Sequence, residues 1–539
     1  MPCDQLDTHR TADAPRKHAN VCKLGVVLVL LLGAFVLFQC FMPLKTAIKV
    51  GADEGFEYAK ATLALKGYHS YTDIWNDQPL LHTFIITQVL RYLSPSVLGP
   101  RLVTSAFALL LLGSLFLISF RLHGLLVAAL ATGLLIASPG FMELASSCMV
   151  EIPALAPAVA SLCVLLVARD TRFPSAEALA GALFAAALQI KFIGAIYLPL
   201  VGLVLLTRHQ NDWSAIARPF AAWFARGEQQ ESMEGRGRLL VASKPLWQAA
   251  LFFATSLAAS FFVINLLIGE GSYVLQLKQS WAAHFASTKS LEYGSPDEHP
   301  FEWSILLKNW ELTVPAIMGL FGSMRQARRA PLALLPLGWL ALTLFVFAAH
   351  QPWWSYYYVH SAVPLCLCAA AGLAGLLSSI KWRKSAVARL GLGVFAICSV
   401  LWMGARIYLQ IDGVRHSPRT YSSLVLKELE RYKPFSQFLF AEEPIYSFHS
   451  GMPLPPRLAV LSLKRFWSGE LTNAALVEEL RKCRPGVVLL ANDTRERPFE
   501  EWLHTEYEIV YQDGNHRLYA RKAVIQQADP WPTPNGPKR

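Results

Sequence analysis

Carboxylates stand at the outer ends of apolar segments, where a side chain reaches both water and lipid. Asp53 and Glu54 follow the first apolar run by a few residues. An ionised carboxylate within hydrogen-bond reach of a hydroxyl can take its proton, so this pair supplies candidates for a general base. Acids also favour the first turn of a helix, and helical spacing of apolar residues follows at once. Helix capping is therefore the alternative role of the pair.

A third carboxylate and a lysine stand beside later apolar runs. Glu151 directly precedes Ile152 and Pro153. An ionised side chain in hydrocarbon costs on the order of a few kcal/mol, so we expect Glu151 to face water or a cavity. An ordinary interfacial acid is the alternative. Lys191 separates two apolar half-runs, and its ammonium either snorkels to the interface or meets a lipid phosphate at the outer headgroups.

An aromatic run between two histidines offers a surface for a sugar. Five aromatic residues occupy six positions between His350 and His360, namely Trp353, Trp354, Tyr356, Tyr357 and Tyr358. Aromatic belts are ordinary at membrane interfaces, but this density exceeds what anchoring requires. Such rings combine an apolar face that can pack on a sugar with a polar tip that can hydrogen-bond.

Membrane-spanning helices must position these residues. Of the 539 residues, 54% are hydrophobic and 16% are charged, whereas soluble proteins carry about 25% charged residues. We predict an α-helical polytopic membrane protein with about eleven transmembrane helices, because apolar stretches near the roughly 20 residues that a span needs recur along the chain. The predicted spans are 21–44, 98–120, 122–138, 150–168, 176–190, 193–207, 248–268, 312–324, 331–349, 359–380 and 388–409.

Basic residues set the predicted orientation and explain the net charge of +11. Lysine and arginine collect in cytoplasmic loops, so nucleic acid is not an expected partner. With eleven spans, the tail 1–20 is cytoplasmic, residues 21–411 form the membrane domain, and the outer face carries loops 45–97, 139–150, 269–311 and 350–358. The number of spans within 176–207 decides on which side of the membrane all later loops lie. The predicted location is the inner membrane of a bacterial cell, with the first span as an uncleaved signal anchor.

A small α/β domain is predicted outside the membrane at 412–524, because strand-like runs alternate there with helices. Strands are expected at 435–440 and 487–490, and a hairpin at 507–520 turns at Asp513, Gly514 and Asn515. The polar and aromatic segment 464–469 either covers the active site or packs as an ordinary loop. The proline-rich tail 525–539 is predicted to be disordered. The nine cysteines contain no C-x-x-C pair, so neither a zinc knuckle nor a redox motif is indicated.

Four short motifs in a fixed order resemble the GT-C superfamily of membrane glycosyltransferases. The resemblance covers residues 21–409 and points to the branch that holds the dolichyl-phosphate-mannose protein mannosyltransferases and the aminoarabinose transferase of lipid A. The motifs are Asp53-Glu54 in the first outer loop, Asp77-Gln78-Pro79 after it, Glu151-Ile152-Pro153 at the fourth span and His350-Gln351-Pro352 before a late span. Two positions depart from the pattern. Glu151 stands where the family often has aspartate, and Gln78 stands where related sequences often carry lysine.

The resemblance implies a sugar donor carried on a polyprenyl phosphate and an acceptor hydroxyl on a lipid, a glycan or a protein. Asp53 would be the general base of an inverting transfer, with Glu54 and Glu151 as further catalytic carboxylates. Cations must stabilise the charge that develops on the phosphate, and Lys191 and Arg101 are the candidates. A divalent metal held by Asp77 with His284 or His299 is a further implication. The substrate-binding residues would be Asp77, Gln78, His350, Trp353, Trp354, Tyr356 and Tyr357.

A multi-pass transporter or flippase of a lipid-linked or small polar substrate is the alternative. That class predicts inverted repeats and charged or helix-breaking residues near the middle of the bilayer. Here the polar residues concentrate at the outer ends of the spans and in outer loops. A polymerase or ligase of lipid-linked glycans would share the donor lipid but not the Asp-Glu pair, and a scaffold would leave the acids unexplained.

Overall fold

Apolar helices make up most of the chain, and a small sheet lies near its C-terminus. A computed structural model describes residues 13–93, 95–168, 174–209, 246–269, 272–285, 295–327, 331–378, 385–416, 423–494 and 497–528. The helices of the membrane part are α1 (Asp13–Phe41), α2 (Glu54–Leu65), α3 (Leu81–Tyr92), α4 (Leu98–His123), α5 (Leu125–Ile136), α6 (Pro139–Ala145), α7 (Glu151–Val167), α8 (Ser175–Ile190), α9 (Leu198–His209), α10 (Leu246–Ile268), α11 (Tyr273–Phe285), α12 (Ser304–Lys308), α13 (Trp310–Ala327), α14 (Leu335–Ala349), α15 (Tyr358–Ser378) and α16 (Ala386–Arg415).

Six apolar helices among the described residues are long enough to cross a bilayer, and a seventh span is possible. The six are Cys22–Phe41, Leu98–His123, Leu246–Ile268, Leu332–Ala349, Ser355–Ser378 and Ala386–Arg415. Helices α5 and α6 meet at a bend of 71° and together form either a broken span or a re-entrant loop. Four shorter apolar helices, at Glu151–Val167, Ser175–Ile190, Phe192–Thr207 and Trp310–Phe321, match the remaining predicted spans. The chain is an integral membrane protein, and the count of eleven spans stays a prediction.

The shorter helices lie inside the bundle. Helix α7 is buried along nearly its whole length, as expected for a helix that is apolar on every side. Helices α1, α10 and α16 bury few of their residues in the protein and leave apolar side chains exposed, a surface suited to lipid. Close helix contact relies on glycine at one crossing: a Cβ on Gly372 would lie 2.0 Å from the carbonyl oxygen of Pro315. Small residues at such crossings allow backbones to approach, and this one fixes α15 against α13.

The C-terminal domain is built on a four-stranded sheet of order β1-β2-β4-β3. The strands are β1 (Leu439–Ala441), β2 (Val487–Ala491), β3 (Tyr507–Gln512) and β4 (His516–Arg521), and the helices are α17 (Ser423–Tyr432), α18 (Ile445–Ser450), α19 (Leu463–Trp467), α20 (Asn473–Cys483), α21 (Glu500–Glu506) and α22 (Lys522–Ala528). Strand β1 is parallel to β2, and β4 is antiparallel to β2 and β3. The small C-terminal α/β fold is confirmed, including the hairpin.

The C-terminal domain packs directly on residues 45–97, the first predicted outer loop. One of its hydrophobic cores contains Tyr58 and Ile86 of α2 and α3 together with Leu439 and Ile445 of the C-terminal domain. The rings of Tyr58 and Phe448 lie 4.5 Å apart. Because this core is shared, the C-terminal domain and helices α2 and α3 are held together by apolar burial.

The predicted tails fall mainly outside the described residues. Residues 1–12 and 529–539 are not described, so the cytoplasmic placement of the first tail and the disorder of the last stay predictions. Helix α22 continues to Ala528, four residues into the predicted disordered tail of 525–539. Helix α16 likewise continues to Arg415, past the predicted domain boundary at 412.

Candidate active site

A buried ion pair anchors the start of the first predicted outer loop, residues 45–97. Arg101 Nη2 lies 2.7 Å from Glu54 Oε1, and both side chains are fully buried. The other Arg101 amino group donates to the carbonyls of Leu44 and Ala47 at 2.7 and 2.9 Å. Glu54 also accepts the backbone amides of Val50 and Cys148. Neither Glu54 nor Arg101 therefore presents a free charge to a substrate; together they hold residues 44–54 in place.

Asp53, directly before Glu54, is placed differently. It occupies the N-cap of α2, yet its side chain makes no capping hydrogen bond to the described backbone. The Tyr356 hydroxyl donates to its carboxylate instead, and the ammonium groups of Lys191 and Lys49 lie near it. Burial, followed by the negative charge of Glu151, raises the pKa of Asp53. The Asp53 side chain therefore does not cap α2. Its carboxylate instead lies near the charged side chains of Glu151, Lys191 and Lys49.

Close packing sets the position of this loop. A Cβ on Gly51 would lie 2.6 Å from the Met149 sulfur and 2.7 Å from Ser147 Oγ. Only a glycine lets residues 50–54 approach the segment before Glu151 this closely. Asp53 and Glu151, which are far apart in sequence, are therefore brought to one place.

Lys191 and Glu151 form the second ion pair of the site. Lys191 Nζ lies 2.6 Å from Glu151 Oε1, and the two side chains are 6% and 1% exposed. The ammonium also lies 4.9 Å from the centre of the Tyr357 ring and 5.6 Å from that of Tyr356, within the range of cation–π attraction. The Lys191 ammonium and the Glu151 carboxylate are therefore paired inside the protein rather than exposed on its surface. Lys191 follows the end of α8 in extended backbone, which turns its side chain out of the helical ladder.

Asp77 lies in the same cluster, and its partner comes from the C-terminal domain. Lys464 Nζ is 3.6 Å from Asp77 Oδ2, and Asp77 also acts electrostatically on Lys191. Gln78 beside it is buried, and the Tyr71 hydroxyl donates to its carbonyl at 2.7 Å. The structure thus brings together Asp53, Asp77, Glu151, Lys191 and Tyr356.

A buried polar network supports the segment that carries Asp77. Lys60 Nζ lies 2.7 Å from Glu57 Oε1 and donates to Asn76 Oδ1 at 3.3 Å, while His82 Nδ1 lies 3.2 Å from Glu57 Oε2. Burial works against ionisation of Glu57, but Lys60 and His82 outweigh it and lower its pKa to about 2. Asn76 Oδ1 in turn accepts the backbone amide of Gln78. An ionised buried carboxylate therefore fixes the turn at 76–78.

Two tyrosines of the aromatic run, Tyr356 and Tyr357, contact the Lys191 ammonium, whereas the two tryptophans pack against residues 299–301. Trp353 is buried, its backbone amide donates to the His299 carbonyl at 2.8 Å, and its ring meets Phe301 edge-on. Trp354 lies 4.8 Å from the His299 ring. Burial, then the charges of Lys464 and Lys191, lower the pKa of His350, which places that histidine beside both lysines.

The proposed metal ligands do not form a described cluster. Among the residues that the structure describes, no group of three or more His, Cys, Asp or Glu side chains is arranged to hold a metal ion. Asp77 pairs with Lys464, and His299 stacks on Trp354. The side chain of His284 lies outside the described residues, so the metal site stays a prediction.

Two lysines of the site were not expected from the sequence. Lys464 comes from α19, and Lys49 joins Asp53 to Glu443 of the C-terminal domain with a 2.7 Å ion pair. The charged and aromatic composition of segment 464–469 was the feature of the sequence that could have pointed to Lys464. No feature of the sequence pointed to Lys49, because a single lysine near the end of a span is ordinary.

Comparison with known proteins supports the fold. No family model matches the chain, and no curated protein matches it in sequence. ArnT from Cupriavidus metallidurans bound to undecaprenyl phosphate is 16% identical, with a TM-score of 0.58 over 92% of this chain and 98% of ArnT; apo ArnT gives 0.59. The archaeal oligosaccharyltransferase AglB from Archaeoglobus fulgidus, in complex with an inhibitory peptide and a dolichol-phosphate, is 11% identical, with a TM-score of 0.52 over 86% of this chain and 69% of AglB.

These solved structures belong to the GT-C superfamily of membrane glycosyltransferases. The chain shares their fold over most of its length, membrane part and C-terminal domain together. The fold expected from the four motifs is confirmed.

Proposed function

We propose that this protein is a membrane glycosyltransferase that moves a sugar from a polyprenyl phosphate to an acceptor hydroxyl at the outer face of the membrane. The observation that carries this proposal is the Asp53 carboxylate, which is free of helix capping, bonded by Tyr356 and next to the Lys191–Glu151 pair. Undecaprenyl phosphate in ArnT and dolichol-phosphate in AglB support a donor of this chemical class. The cluster lies among the loops predicted to face outward.

Asp53 acts as the general base in the proposed reaction. As the acceptor oxygen bonds to the anomeric carbon, its proton passes to the Asp53 carboxylate. The bond from that carbon to the phosphate oxygen breaks on the opposite side, and its electron pair leaves with the phosphate. The anomeric centre is therefore inverted. A hydrolase would instead need two carboxylates on either side of the scissile bond, and an acid is not required here because phosphate leaves as an anion.

Lys191 is the cation that meets the leaving phosphate in this proposal. Its ammonium lies at the centre of the cluster, whereas the amino groups of Arg101 bond to Glu54 and to two backbone carbonyls. Preorganised cations that face the developing charge lower the barrier without reorganising during the reaction. Arg101 and Glu54 thus position the loop, and Lys191 serves the chemistry.

Unpartnered buried polar atoms mark where substrate would bind. Among the described residues, the second carboxylate oxygen of Glu151 and the indole Nε1 of Trp353 are buried without a hydrogen-bond partner. Such atoms carry a desolvation cost unless something bonds to them. Sugar hydroxyls donate and accept, so they suit both atoms. Asp77, His350 and Tyr357 would border the same space.

The rate should depend on pH through Asp53 because only the ionised carboxylate accepts a proton. Its pKa is raised, so kcat/KM should fall as the pH drops through a value above the ordinary aspartate pKa. Glu151→Gln removes a like charge and leaves Lys191 free to act on Asp53. Both changes lower the pKa of Asp53, so the acidic limb of the kcat/KM profile should move to lower pH.

Glu302→Gln is the matched control for this profile, since Glu302 is 57% exposed and pairs with Lys308. It should leave the acidic limb in place. An acidic limb at the same pH in Glu151→Gln and in wild type would contradict the assignment of that limb to Asp53.

An in vitro transfer assay tests the proposed function. Purified full-length protein is incubated with radiolabelled polyprenyl-phosphate sugars and with lipid, glycan and peptide acceptors. Transfer of label with inversion at the anomeric carbon is the expected result. Movement of labelled lipid across proteoliposomes without any transfer would instead favour a flippase.

The side of the membrane is tested separately. In a cysteine-free background, Thr72→Cys places one thiol at an exposed position of the first outer loop. A membrane-impermeant maleimide should label it from outside intact spheroplasts. Labelling only after lysis would place the loop in the cytoplasm and overturn the outer-face reaction.

A further inference from the structure

A short segment of the C-terminal domain, residues 443–449, lies over the part of the chain that carries Asp53. It contains most of helix α18. The buried side chain of Ile445 shares a hydrophobic core with Tyr58 of α2, and the Phe448 ring lies 4.5 Å from the Tyr58 ring. Helix α18 is therefore packed against the first turns of α2, which begins directly after Asp53.

Two side chains of this segment contact residues shortly before Asp53. His449 Nε2 lies 2.9 Å from the carbonyl oxygen of Ile48. A carbonyl oxygen only accepts hydrogen bonds, so this ring nitrogen carries the proton and donates it. Glu443 Oε2 lies 2.7 Å from Lys49 Nζ. The chain between Ile48 and Asp53 belongs to no helix or strand, so its conformation depends on contacts of this kind.

A third contact lies just after Asp53. A Cβ on Gly55 would be 2.9 Å from the backbone nitrogen of Ile445. Rotation of a side chain cannot relieve so short a contact with a backbone atom, and glycine is therefore what allows α2 and α18 to meet here. One helix of the C-terminal domain thus holds the chain on both sides of Asp53.

The bond from His449 is made by a neutral ring. Burial, followed by the positive charge of Arg101, lowers the pKa of His449, although its hydrogen bond to Ile48 works in the opposite direction. A neutral imidazole has a single N–H, and here it is given to Ile48. The Tyr446 hydroxyl of the same helix lies 3.1 Å from His516 Nε2, a contact that ties α18 to strand β4.

The position of a general base matters as much as its charge. Its oxygen must lie within hydrogen-bond reach of the proton that it takes, and a misplacement of about 1 Å can cost about 10²-fold in rate. We propose that helix α18 positions the Asp53 carboxylate for proton transfer, with His449 as the positioning residue that fixes the backbone through the Ile48 carbonyl. The C-terminal domain is then needed for turnover. This inference rests on the proposed function.

Two substitutions of His449 separate its hydrogen bond from its packing. His449→Gln keeps a side-chain amide that can donate to the Ile48 carbonyl, whereas His449→Phe keeps a ring and has no donor. The turnover number of the purified full-length protein should fall about tenfold in His449→Phe and stay within about threefold of wild type in His449→Gln. If His449 served packing alone, the phenylalanine variant would be the more active of the two, and the proposal would be wrong.

The loss in His449→Phe should be confined to turnover. The KM for the acceptor and the dissociation constant for undecaprenyl phosphate should stay within about twofold of wild type, because a positioning residue touches neither substrate. Rates are normalised to folded protein. His504→Phe is the matched control, since His504 is an exposed histidine of the same domain with its ring 6.1 Å from that of Tyr519, and its turnover number should equal that of wild type.

Gly55→Ala tests the same contact from the side of α2. Alanine favours a helix more than glycine does, so α2 itself should not be weakened, but the new Cβ would press on the backbone of Ile445. The turnover number should fall about tenfold. Gly113→Ala serves as the control, because a Cβ on this helical glycine meets nothing within 4 Å. Wild-type turnover in Gly55→Ala would count against the proposal.

The inference and the proposed function fail in different ways. Wild-type turnover in His449→Phe, together with a loss of turnover in Asp53→Asn, would remove α18 from the mechanism and leave the transferase intact. A wild-type protein that transfers no sugar would overturn the proposed function and the inference with it.

Discussion

Asp53→Asn should lower the turnover number about 10³-fold while the protein still folds and binds the donor lipid, because a positioned general base contributes about 10²–10⁴-fold. The amide has nearly the shape of the carboxylate and can still accept the Tyr356 hydrogen bond, but it cannot take a proton from the acceptor. Helix α2 should be unaffected, since the Asp53 side chain makes no capping bond to the described backbone. Initial rates of label transfer, normalised to folded protein, measure the loss.

Asp73→Asn is the matched control for this loss. Asp73 lies in the same outer loop and accepts the His69 amide at 2.9 Å, outside the charged cluster. Its rate should stay within about twofold of wild type, as surface substitutions away from special features have small effects. A wild-type rate in Asp53→Asn would mean that another group takes the proton. A matched loss of lipid binding would mean that Asp53 holds substrate instead.

The sequence predicts the membrane helices well because their signal is local, and the signal that marks candidate site carboxylates is local too. Apolar stretches mark helices wherever they lie, so each predicted span coincides with an apolar helix of the structure. Asp53 and Glu151 stand out because a carboxylate beside an apolar run needs a reason to be there. The count of spans is harder, because a buried short helix such as α7 has the composition of a span without its length.

Partnerships across long stretches of chain are what the sequence cannot supply. Glu151 begins α7, whereas Lys191 follows the end of α8, 40 residues further along the chain, so neither periodicity nor motif spacing pairs them. For the same reason the sequence could not predict the contact between Asp77 and Lys464, which belongs to the C-terminal domain. Arg101 shows the same limit: a lone arginine near a span suggests an anion to bind, and the structure pairs its guanidinium with Glu54, so its role toward the donor phosphate stays a prediction.

The Arg101–Glu54 pair should therefore govern stability rather than donor affinity. Arg101→Leu leaves the Glu54 carboxylate fully buried without its cation, and removing one partner of such a pair costs about 3–5 kcal/mol. It also leaves the carbonyls of Leu44 and Ala47 without their donors. We expect a marked fall in the midpoint of unfolding in detergent, followed by tryptophan fluorescence, and a loss of activity in proportion to the folded fraction.

Two further variants decide whether the loss comes from an unpaired charge. In Glu54→Leu/Arg101→Leu both charges are gone, so the double variant should be more stable than Arg101→Leu, because replacing both partners by apolar groups is often close to neutral. Glu302→Gln breaks the exposed pair with Lys308, whose atoms are 3.7 Å apart, and should cost less than about 1 kcal/mol. If Arg101 bound the donor phosphate instead, Arg101→Leu would keep the wild-type midpoint and lose affinity for undecaprenyl phosphate. A normal midpoint with weakened lipid binding would return Arg101 to the donor site.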